Sequence, residues 1–374
     1  MADLFWPGDE RAGEHFTDAA FLAAMVAVEE EWSGAVLATD VDVTWLASAA
    51  ESGGNPVIPL VERLRAGLHG DETRWLHRGL TSQDVVDSAL MRMSGDATSA
   101  LDGSLRAVVE RLVALAEAHR GTPMVARTLT QHAVPTTFGF RVAAWLTGVL
   151  DARDHIGALD FPRQLGGAAG TRAAVVEIDR TPSAEVPRWH TNRAPVTRLG
   201  DALVGCTDAC ARIANDVLVM SRPEIGELAE GSAGGSSTMP GKANPVLSVL
   251  VKRAALTTPQ LAATLHLAAA SQVDDRAEGG WHAEWAPLRD LVRRTLVAAS
   301  QTADLLDGLE VDSDRMAATL AGAGEGVLAE QRSMAELAGH QPRPSYLGDA
   351  GAHVDAVVAR ARQQLADLAT GDNT

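Results

Sequence analysis

Residues 235–245 read Gly-Ser-Ser-Thr-Met-Pro-Gly-Lys-Ala-Asn-Pro and lead directly into a long stretch rich in Ala and Leu. Glycines within and just before this segment allow backbone N–H groups to approach a ligand closely. The same segment holds three adjacent hydroxyl residues, a lysine and an asparagine. A defined polar pattern that leads into an apolar helix predicts a ligand-binding loop rather than a flexible linker.

The lysine of this loop stands out because lysine is scarce in the chain. Of the 32 basic residues only Lys242 and Lys252 are lysine, and asparagine is also rare. Since arginine takes the place of lysine almost everywhere, a remaining lysine is a good candidate for a specific role. An ammonium is a compact point charge and a guanidinium is a planar fork, so the two cations are not interchangeable.

The pattern at 235–245 resembles, at every position, the signature loop of one superfamily of enzymes. That superfamily contains fumarase, aspartase, argininosuccinate lyase, adenylosuccinate lyase and 3-carboxymuconate cycloisomerase. The resemblance implies that Ser236 is the base that removes a proton α to a carboxylate, and that Lys242 and Asn244 bind substrate carboxylates. The chemistry agrees, because a serine alkoxide and a dianionic intermediate both need nearby cations and N–H donors.

A second block, residues 75–87, reads Trp-Leu-His-Arg-Gly-Leu-Thr-Ser-Gln-Asp-Val-Val-Asp. It resembles the His-x-Gly-Leu-Thr-Ser-x-Asp block of the same superfamily, which implies that His77, Thr81 and Ser82 line the substrate pocket. The hydroxyls also suit the cap of a helix that begins near Asp84. Both readings are compatible, because a helix N-terminus is a good site for a carboxylate.

A third block, residues 127–139, reads Arg-Thr-Leu-Thr-Gln-His-Ala-Val-Pro-Thr-Thr-Phe-Gly. It resembles a superfamily block in which the third residue is usually a histidine, often assigned as the general acid; here it is Leu129. By that resemblance Arg127, Thr128 and Gln131 shape the pocket. His132, three residues further on, either supplies a proton or charge instead, as a third catalytic residue, or is a structural histidine, and the sequence leaves both readings open.

The leucine at position 129 bears on the reaction type. Amine and hydroxide leaving groups benefit from protonation, which argues against a working adenylosuccinate lyase, argininosuccinate lyase or fumarase. A carboxylate leaving group, whose conjugate acid has a pKa of about 4, needs no acid. Opening a lactone by elimination expels a carboxylate, and the reverse of that step is a cycloisomerisation.

Three further stretches, residues 163–171, 189–193 and 280–285, resemble the cycloisomerase forms of superfamily blocks. Gly and Trp in these stretches also suit helix contacts, so we use them for the subfamily and not as catalysts. Before the last of them the superfamily often has His-Glu-Arg, whereas this chain has Asp-Asp-Arg at 274–276. Arg276 is therefore the one residue of that triplet retained as a substrate-binding candidate.

Helical periodicity dominates the rest of the chain and predicts an all-α protein. The long helices are predicted at 18–38, 97–119, 138–158, 198–220, 245–270 and 285–308, and irregular segments at 78–85, 123–139, 162–171 and 231–245. The resemblance implies a fumarase/aspartase-like fold with a central bundle of long helices. We expect an N-terminal helical domain at 1–95, the bundle at 96–306 and a shortened C-terminal helical domain at 307–374.

Composition excludes several classes of function. The net charge of −17 disfavours nucleic-acid binding and requires a local positive cluster if the substrate is a polycarboxylate. No apolar run is long enough for a membrane span, and the first residues lack a signal pattern, so a cytoplasmic protein is expected.

Cys206 and Cys210 are expected to be buried thiols. No metal or organic cofactor is expected, because the 11 histidines form no convincing ligand cluster.

The resemblance implies a 3-carboxy-cis,cis-muconate cycloisomerase of the protocatechuate branch of aromatic degradation. It also implies a homotetramer in which each active site draws its segments from different subunits. Two enzymatic alternatives stay open: a lyase that expels a good leaving group such as nitrite from a substituted succinate, and adenylosuccinate lyase, which Leu129 disfavours. A non-catalytic helical scaffold is a further alternative, against which the intact set of Ser236, Lys242 and Asn244 argues.

Overall fold

The computed structural model describes residues 3–37, 40–69, 74–182, 186–232 and 234–371, apart from the side chains of 367–371. Its helices are α1 Asp18–Ser33, α2 Val43–Ala49, α3 Val57–Ala66, α4 Ser82–Ala118, α5 Phe138–Gly157, α6 Ala173–Glu177, α7 Ala194–Met220, α8 Val246–Ala270, α9 Gly280–Ala283, α10 Trp285–Asp307, α11 Ser313–Gly322, α12 Ala329–Leu337 and α13 Ala350–Gly371. Short 3-10 turns lie at Asp9–Ala12, Ala50–Gly53 and Glu325–Leu328. The all-α prediction is confirmed.

The long helices follow from the spacing of their apolar residues. In α4 the side chains of Leu101, Leu105, Val108 and Leu112 recur at helical spacing and are fully or almost fully buried. This helix is longer than predicted and begins at Ser82. Helix α1 is shorter than predicted, because Gly34 adopts a left-handed conformation with φ 75° and ends it; residue 38, the last of the predicted helix, lies outside the described residues.

By internal contacts the chain divides into two compact units. The first contains the residues up to Leu101, Ile156–Val204 and Thr257–Val297, and the second contains Asp102–His155, Gly205–Leu256 and the residues from Ala298 onward. The division into domains at 95/96 and 306/307 stays a prediction. The first of these boundaries lies inside helix α4 and the second near the end of α10.

In the first unit α7 packs closely on α8 and α10. A Cβ atom at Gly200 of α7 would lie 2.9 Å from Leu265 of α8 and 3.7 Å from Leu291 of α10, so the absence of a side chain allows this approach. The N-terminal segment is bound to α10 by Arg293, whose guanidinium donates to both carboxylate oxygens of Asp9 at 3.0 and 2.6 Å.

In the second unit α7 packs on α5 and α8. Trp145 of α5 donates its indole N–H to Asp216 of α7 at 2.8 Å, and Cys210 of α7 packs in a buried cluster with Val251 of α8. Both cysteines are buried. Burial raises the pKa of the Cys210 thiol to about 11 and also raises the pKa of Cys206. Buried, protonated thiols are unreactive.

The second unit also holds two small antiparallel sheets. Strand β1 Pro123–Thr128 pairs with β2 Gln131–Thr137, and β3 Leu228–Glu230 pairs with β4 Leu309–Val311. The prediction of an irregular segment at 123–139 is therefore wrong. The two strands are short, and the turn between them carries Leu129 and Thr130 in place of the usual Asn or Gly, so the usual hairpin signal is absent.

Candidate active site

The loop at 235–245 is closed at its base by the backbone. Gly234 and Asn244 exchange two backbone hydrogen bonds, each 2.8 Å long. A side chain at Gly234 has no room, because its Cβ would lie 2.2 Å from Cγ2 of Val246. Residue 233 lies outside the described residues. The narrow base fixes where the exposed part of the loop emerges from the protein.

Glu230 joins the base of the loop to helix α8. Its carboxylate accepts the backbone N–H groups of Leu247 and Ser248 at 3.1 and 2.8 Å and the Ser248 hydroxyl at 2.6 Å. These are N–H groups of the first turn of α8, which no helical carbonyl can satisfy. A carboxylate at a helix N-terminus is stabilised by the helix dipole, so Glu230 anchors the loop to a rigid element.

Ser236 lies in a small cradle of backbone donors. Its Oγ accepts the N–H of Met239 at 3.1 Å and the N–H of Thr238 at 3.3 Å. The same two donors would stabilise negative charge on Oγ, which is what a serine base requires. Two backbone donors therefore converge on the Ser236 oxygen.

Lys242 and Asn244 occupy different positions in this loop. Within the part of the chain that the structure describes, the ammonium of Lys242 has no hydrogen-bond or ion-pair partner, and the residue is exposed. Asn244 donates one side-chain N–H to the carbonyl of Gly235 at 2.9 Å. Lys242 is therefore available to an anionic ligand, whereas one side-chain N–H of Asn244 already donates within the loop.

Thr81 and Ser82 form the N-terminus of helix α4 in the first unit. The N–H of Thr81 donates to Oδ2 of Asp84 at 3.0 Å, in the reverse arm of a capping box. Asp84 is buried and also accepts the N–H groups of Gly166 and Gly167, at 2.8 and 2.9 Å. One carboxylate therefore holds both the helix start and the Gly-rich segment in place.

His190 completes the ring of donors around Asp84. Its Nε2 lies 2.9 Å from Oδ1 of Asp84, and the side chain is buried. Gly166 must lack a side chain here, because its Cβ would lie 2.4 Å from the ring of His190. The stretches at 163–171 and 189–193 thus meet at the base of helix α4 and support it.

A second buried carboxylate lies one turn further along α4. Asp87 accepts two N–H groups of Arg193 at 2.8 and 2.9 Å, the indole N–H of Trp281 at 3.0 Å and the amide of Gln164 at 2.7 Å. Arg193 also contacts Glu284 at 2.8 Å. The stretch at 280–285 therefore belongs to this network.

The network holds three buried ionisable groups, Asp87, Arg193 and Glu284, and their charges affect the pKa values of Arg193 and Glu284. Burial raises the pKa of Glu284, although its bonds to Arg193 oppose that rise. Burial also works against the charged form of Arg193, but Asp87 and Glu284 outweigh it and raise the pKa of the guanidinium. A buried ion pair survives only when its hydrogen bonds are well made, and here all three ions are multiply bonded.

His77 and Arg276 also lie in the first unit. The ring Nδ1 of His77 lies 2.6 Å from Oε1 of Glu29, and its backbone N–H donates to Oε2 of Glu29 at 3.0 Å. Arg276 donates to the carbonyl of Ala168 at 3.2 Å, next to the glycines that Asp84 holds. Arg276 thus contacts the Gly-rich segment that Asp84 holds.

The β1–β2 hairpin of the second unit carries four of the predicted residues. Arg127 pairs with His132 and Thr128 with Gln131 across the hairpin. Residues directly opposite each other lie on the same face of a hairpin, and successive pairs alternate between the two faces. The side chains of Arg127 and His132 therefore lie on one face of the hairpin, and those of Thr128 and Gln131 on the other. Arg127 and His132 line a cleft of about 760 Å³, and Arg127 also donates to both oxygens of buried Glu227 at 2.8 and 2.7 Å.

The predicted site residues thus fall into two groups. The first unit holds His77, Thr81, Ser82 and Arg276, and the second unit holds Arg127, Thr128, Gln131, His132, Ser236, Lys242 and Asn244. Within the second unit, the described residues show no hydrogen bond or ion pair between the hairpin tip at 127–132 and the loop at 234–245. No group of three or more His, Cys, Asp or Glu among the described residues could hold a metal ion.

Sequence reasoning did not single out the acids Glu29, Asp84, Asp87 and Glu230 as functional. Two of them had a visible signal: Asp84 stands three residues after Thr81, the spacing of a capping box, and Glu230 stands just before the loop. Glu29 and Asp87 had no local sequence signal, because their hydrogen-bond partners lie far away in the sequence.

A family model described as a lyase matches residues 15–257, well over half of the chain. The chain belongs to the fumarase/aspartase superfamily of lyases. It is 37% identical to a nitrosuccinate lyase of Streptomyces davaonensis, over 95% of this chain and 82% of the relative. It is 39% identical to a 3-carboxy-cis,cis-muconate cycloisomerase of Bradyrhizobium diazoefficiens, over 76% of this chain and 67% of the relative.

Solved structures agree with the superfamily. The crystal structure of a 3-carboxy-cis,cis-muconate lactonizing enzyme from Pseudomonas putida superposes with a TM-score of 0.79 at 27% identity, over 94% of this chain and 95% of the other. The lyase described here is therefore similar in sequence and structure to enzymes of that subfamily. Among its described helices, none is both long and apolar enough to cross a membrane.

Proposed function

We propose that this lyase catalyses the cycloisomerisation of 3-carboxy-cis,cis-muconate to 4-carboxymuconolactone. One observation carries the proposal: the hairpin that bears the general acid in much of the superfamily presents Leu129 at its tip, 96% exposed, while the loop of Ser236 and Lys242 is complete. A reaction that uses this loop without that acid has a weakly basic leaving group, and a carboxylate is such a group.

The proposed step moves one proton and one pair of electrons. A substrate carboxylate oxygen attacks one carbon of a double bond, and the π electrons pass through the neighbouring carbon into the conjugated carboxylate. The Ser236 hydroxyl then donates its proton to that neighbouring carbon. The alkoxide left on Ser236 is stabilised by the N–H groups of Thr238 and Met239 and by the ammonium of Lys242, and it regains a proton from solvent.

The remaining candidates bind and orient the substrate carboxylates. Thr81 and Ser82 offer hydroxyls at the start of helix α4, where an anion is favoured. Lys242 and Asn244 hold a carboxylate beside Ser236. The cationic or polar groups that complete the pocket are His77, Arg127, Thr128, Gln131, His132 and Arg276. Such a local cluster offsets the repulsion that a net charge of −17 exerts on a polycarboxylate.

We further propose that the active enzyme is a homotetramer in which segments of different subunits meet. The exposure of Leu129, Gln131 and the tip of the loop at 237–243 in one chain supports this proposal. Groups that must exclude water from a reaction are seldom left exposed in the working state. Activity should then depend on protein concentration below the dissociation constant of the assembly.

A second candidate function is elimination of nitrite from a nitrosuccinate-type substrate. The specific observation in its favour is the Streptomyces relative, which aligns with 95% of this chain, compared with 76% for the Bradyrhizobium cycloisomerase. The chemistry is related, since both reactions involve a proton α to a carboxylate and the departure or addition of a weak base. Leu129 is compatible with either, and the cycloisomerase-like stretches at 163–171, 189–193 and 280–285 are what favour the muconate.

Parallel assays of the purified lyase separate the two functions. With 3-carboxy-cis,cis-muconate, loss of the diene ultraviolet absorbance is followed, and with nitrosuccinate, release of nitrite is followed. We expect kcat/KM for the muconate to exceed that for nitrosuccinate by about 100-fold or more, since a pocket built for one substrate's polar groups rejects the other. The reverse ratio would assign the chain to nitrite elimination.

A further inference from the structure

We propose that Glu29 is a positioning residue that holds the His77 ring through its Nδ1–H, so that Nε2 faces a substrate carboxylate and donates to it once the ring carries a proton on both nitrogens. The proposal rests on the proposed function for the role of His77 as a substrate-binding residue. Glu29 lies on helix α1, 48 positions before His77 in the sequence. Its carboxylate uses one oxygen for the His77 backbone N–H and the other for ring Nδ1.

The geometry of this pair dictates the protonation of one ring nitrogen. The Nδ1 to Oε1 distance is 2.6 Å, and the Glu29 side chain is fully buried. Among the described residues no arginine or lysine pairs with this carboxylate. An ionised carboxylate only accepts hydrogen bonds, so Nδ1 must carry the proton. Nε2 is then the one ring nitrogen available to a ligand. It accepts hydrogen bonds while the ring is neutral, so a carboxylate binds there together with a second proton, which Nε2 then donates to it.

The backbone around His77 is held in an unfavourable conformation. His77 has φ 57°, in the left-handed region that non-glycine residues rarely adopt. Its neighbours are fixed by side chains of α3 and α1: Arg65 of α3 donates to the carbonyl of Leu76 at 3.1 Å, and Trp32 of α1 donates to the carbonyl of Arg78 at 2.9 Å. Strain of this kind persists where surrounding contacts over-determine the chain, which is common at functional sites.

The contrast between His77 and His190 distinguishes a contact that positions a ring for a ligand from a purely structural contact. His190 also contacts a buried carboxylate, Asp84, but through Nε2, and its ring is almost wholly buried. His77 contacts Glu29 through Nδ1 and keeps 18% of its side chain exposed. The arrangement at His77 thus leaves the outer nitrogen accessible, whereas the arrangement at His190 does not.

The test uses Glu29→Gln, which keeps the size of the side chain, and Glu29→Asp, which keeps its charge. Magic-angle-spinning NMR of the ¹⁵N-histidine-labelled full chain reports which ring nitrogen is protonated, and His77→Gln identifies the signals. Succinate serves as the carboxylate probe. We expect the wild type to show protonated Nδ1 and a shift of the Nε2 signal with succinate.

In Glu29→Gln we expect the Nδ1 proton and the response of Nε2 to succinate to be lost, and KM for 3-carboxy-cis,cis-muconate to rise about 10-fold with a smaller change in kcat. Glu29→Asp should restore part of both. Glu31→Gln is the matched control. Glu31 lies two residues after Glu29 in α1, and among the described residues it pairs only with exposed Arg92 and Arg163. Glu31→Gln should change neither readout.

Two results would overturn the proposal: an unchanged Nδ1 signal in a folded Glu29→Gln protein, or an equal response to succinate in that variant and the wild type. If the wild type fails to convert 3-carboxy-cis,cis-muconate, the proposed function fails, but the NMR signals and the succinate response still decide the role of Glu29. If the Glu29→Gln chain does not fold, Glu29→Asp takes its place. The shift of the Nε2 signal with succinate must then be smaller in Glu29→Asp than in the wild type, and an equal shift would overturn the proposal.

Discussion

Leu129 and Thr130 form the two-residue turn of the β1–β2 hairpin, and both have positive φ, 47° and 72°. This conformation suits Gly or Asn and costs a branched apolar residue free energy. No packing within the described chain offsets that cost, because the Leu129 side chain is 96% exposed. We predict that this exposed side chain contacts the substrate or another subunit of the proposed tetramer.

Leu129→Gly should therefore separate stability from activity. Removing the side chain relieves the turn, and we expect the free energy of unfolding to rise by about 1 kcal/mol. Loss of the apolar contact should lower kcat/KM by about 10-fold or more. Thr130→Gly is the control, since it relieves the same turn and leaves Leu129 in place. Urea denaturation and steady-state kinetics measure both effects; unchanged kcat/KM in Leu129→Gly would remove Leu129 from the site.

His119 gives stability a dependence on pH. Burial lowers the pKa of His119 below its ordinary value of 6.5, and the ring packs against Phe138 at 5.3 Å between ring centres. The unfolded chain therefore binds a proton that the folded chain resists as the pH falls through about 6.5. The contribution of His119 to stability is present above that pH and is lost below it, down to the lowered pKa.

We expect His119→Gln to reduce the fall in unfolding free energy between pH 7.5 and pH 5.5. Glutamine can still bond to Thr122, as Nδ1 of His119 does at 3.1 Å, but it does not titrate. His155→Gln is a suitable control, because the His155 side chain is exposed and has no hydrogen-bond or ion-pair partner among the described residues. Urea denaturation at the two pH values is the measurement, and equal pH dependence in wild type and His119→Gln would contradict the assignment.

At the scale of elements, the helices and the loops were predictable to different degrees. Long helices were predictable because Ala and Leu recur at helical spacing over many turns, so that errors at the ends hardly affect the pattern. The hairpin at 123–137 was not, because short strands with an atypical turn resemble a loop in sequence. Likewise the signature loop identified Ser236, Lys242 and Asn244, but nothing local shows that Glu230 attaches that loop to α8.

Gly234→Ala tests whether the closed base of the signature loop is needed. Its Cβ would lie 2.2 Å from Cγ2 of Val246, so either the two backbone bonds to Asn244 or the start of α8 must shift. We expect a loss of about 1–3 kcal/mol in stability together with a fall in kcat/KM.

Two controls make this prediction specific. Gly235→Ala adds the same methyl group one residue later, where nothing lies within 4 Å, and should change stability little. In the double variant Gly234→Ala with Val246→Ala, removal of Cγ2 should restore much of the activity. Equal losses for Gly234→Ala and Gly235→Ala, measured by thermal unfolding and kinetics, would show that backbone freedom rather than space matters at the base.

At the scale of the whole molecule, a few buried charges join segments that are distant in sequence, whereas exposed ion pairs contribute little to stability. Asp87, Arg193 and Glu284 are buried together, and three segments distant in sequence meet at them. The sequence showed these segments as subfamily markers only, because a hydrogen-bond network between distant residues leaves no periodic signal. Their common role is to hold the N-terminus of α4, where Thr81 and Ser82 lie.

Arg193→Met should destabilise the lyase by about 3–5 kcal/mol, because it leaves two carboxylates buried without their cation. Arg106→Ala removes half of an exposed pair with Glu110 and should cost less than about 1 kcal/mol. Denaturant unfolding of both variants is the measurement. A cost for Arg193→Met as small as that for Arg106→Ala would mean that the network does not hold the first unit together.

The central claim is that this lyase acts on 3-carboxy-cis,cis-muconate through Ser236. The most direct measurement is the loss of diene absorbance with purified wild type, Ser236→Ala and Ser237→Ala. We expect rapid loss in the wild type, a fall of about 100- to 10,000-fold in kcat for Ser236→Ala, and a much smaller effect for Ser237→Ala. No loss of absorbance with folded wild type, or equal rates for wild type and Ser236→Ala, would contradict the claim.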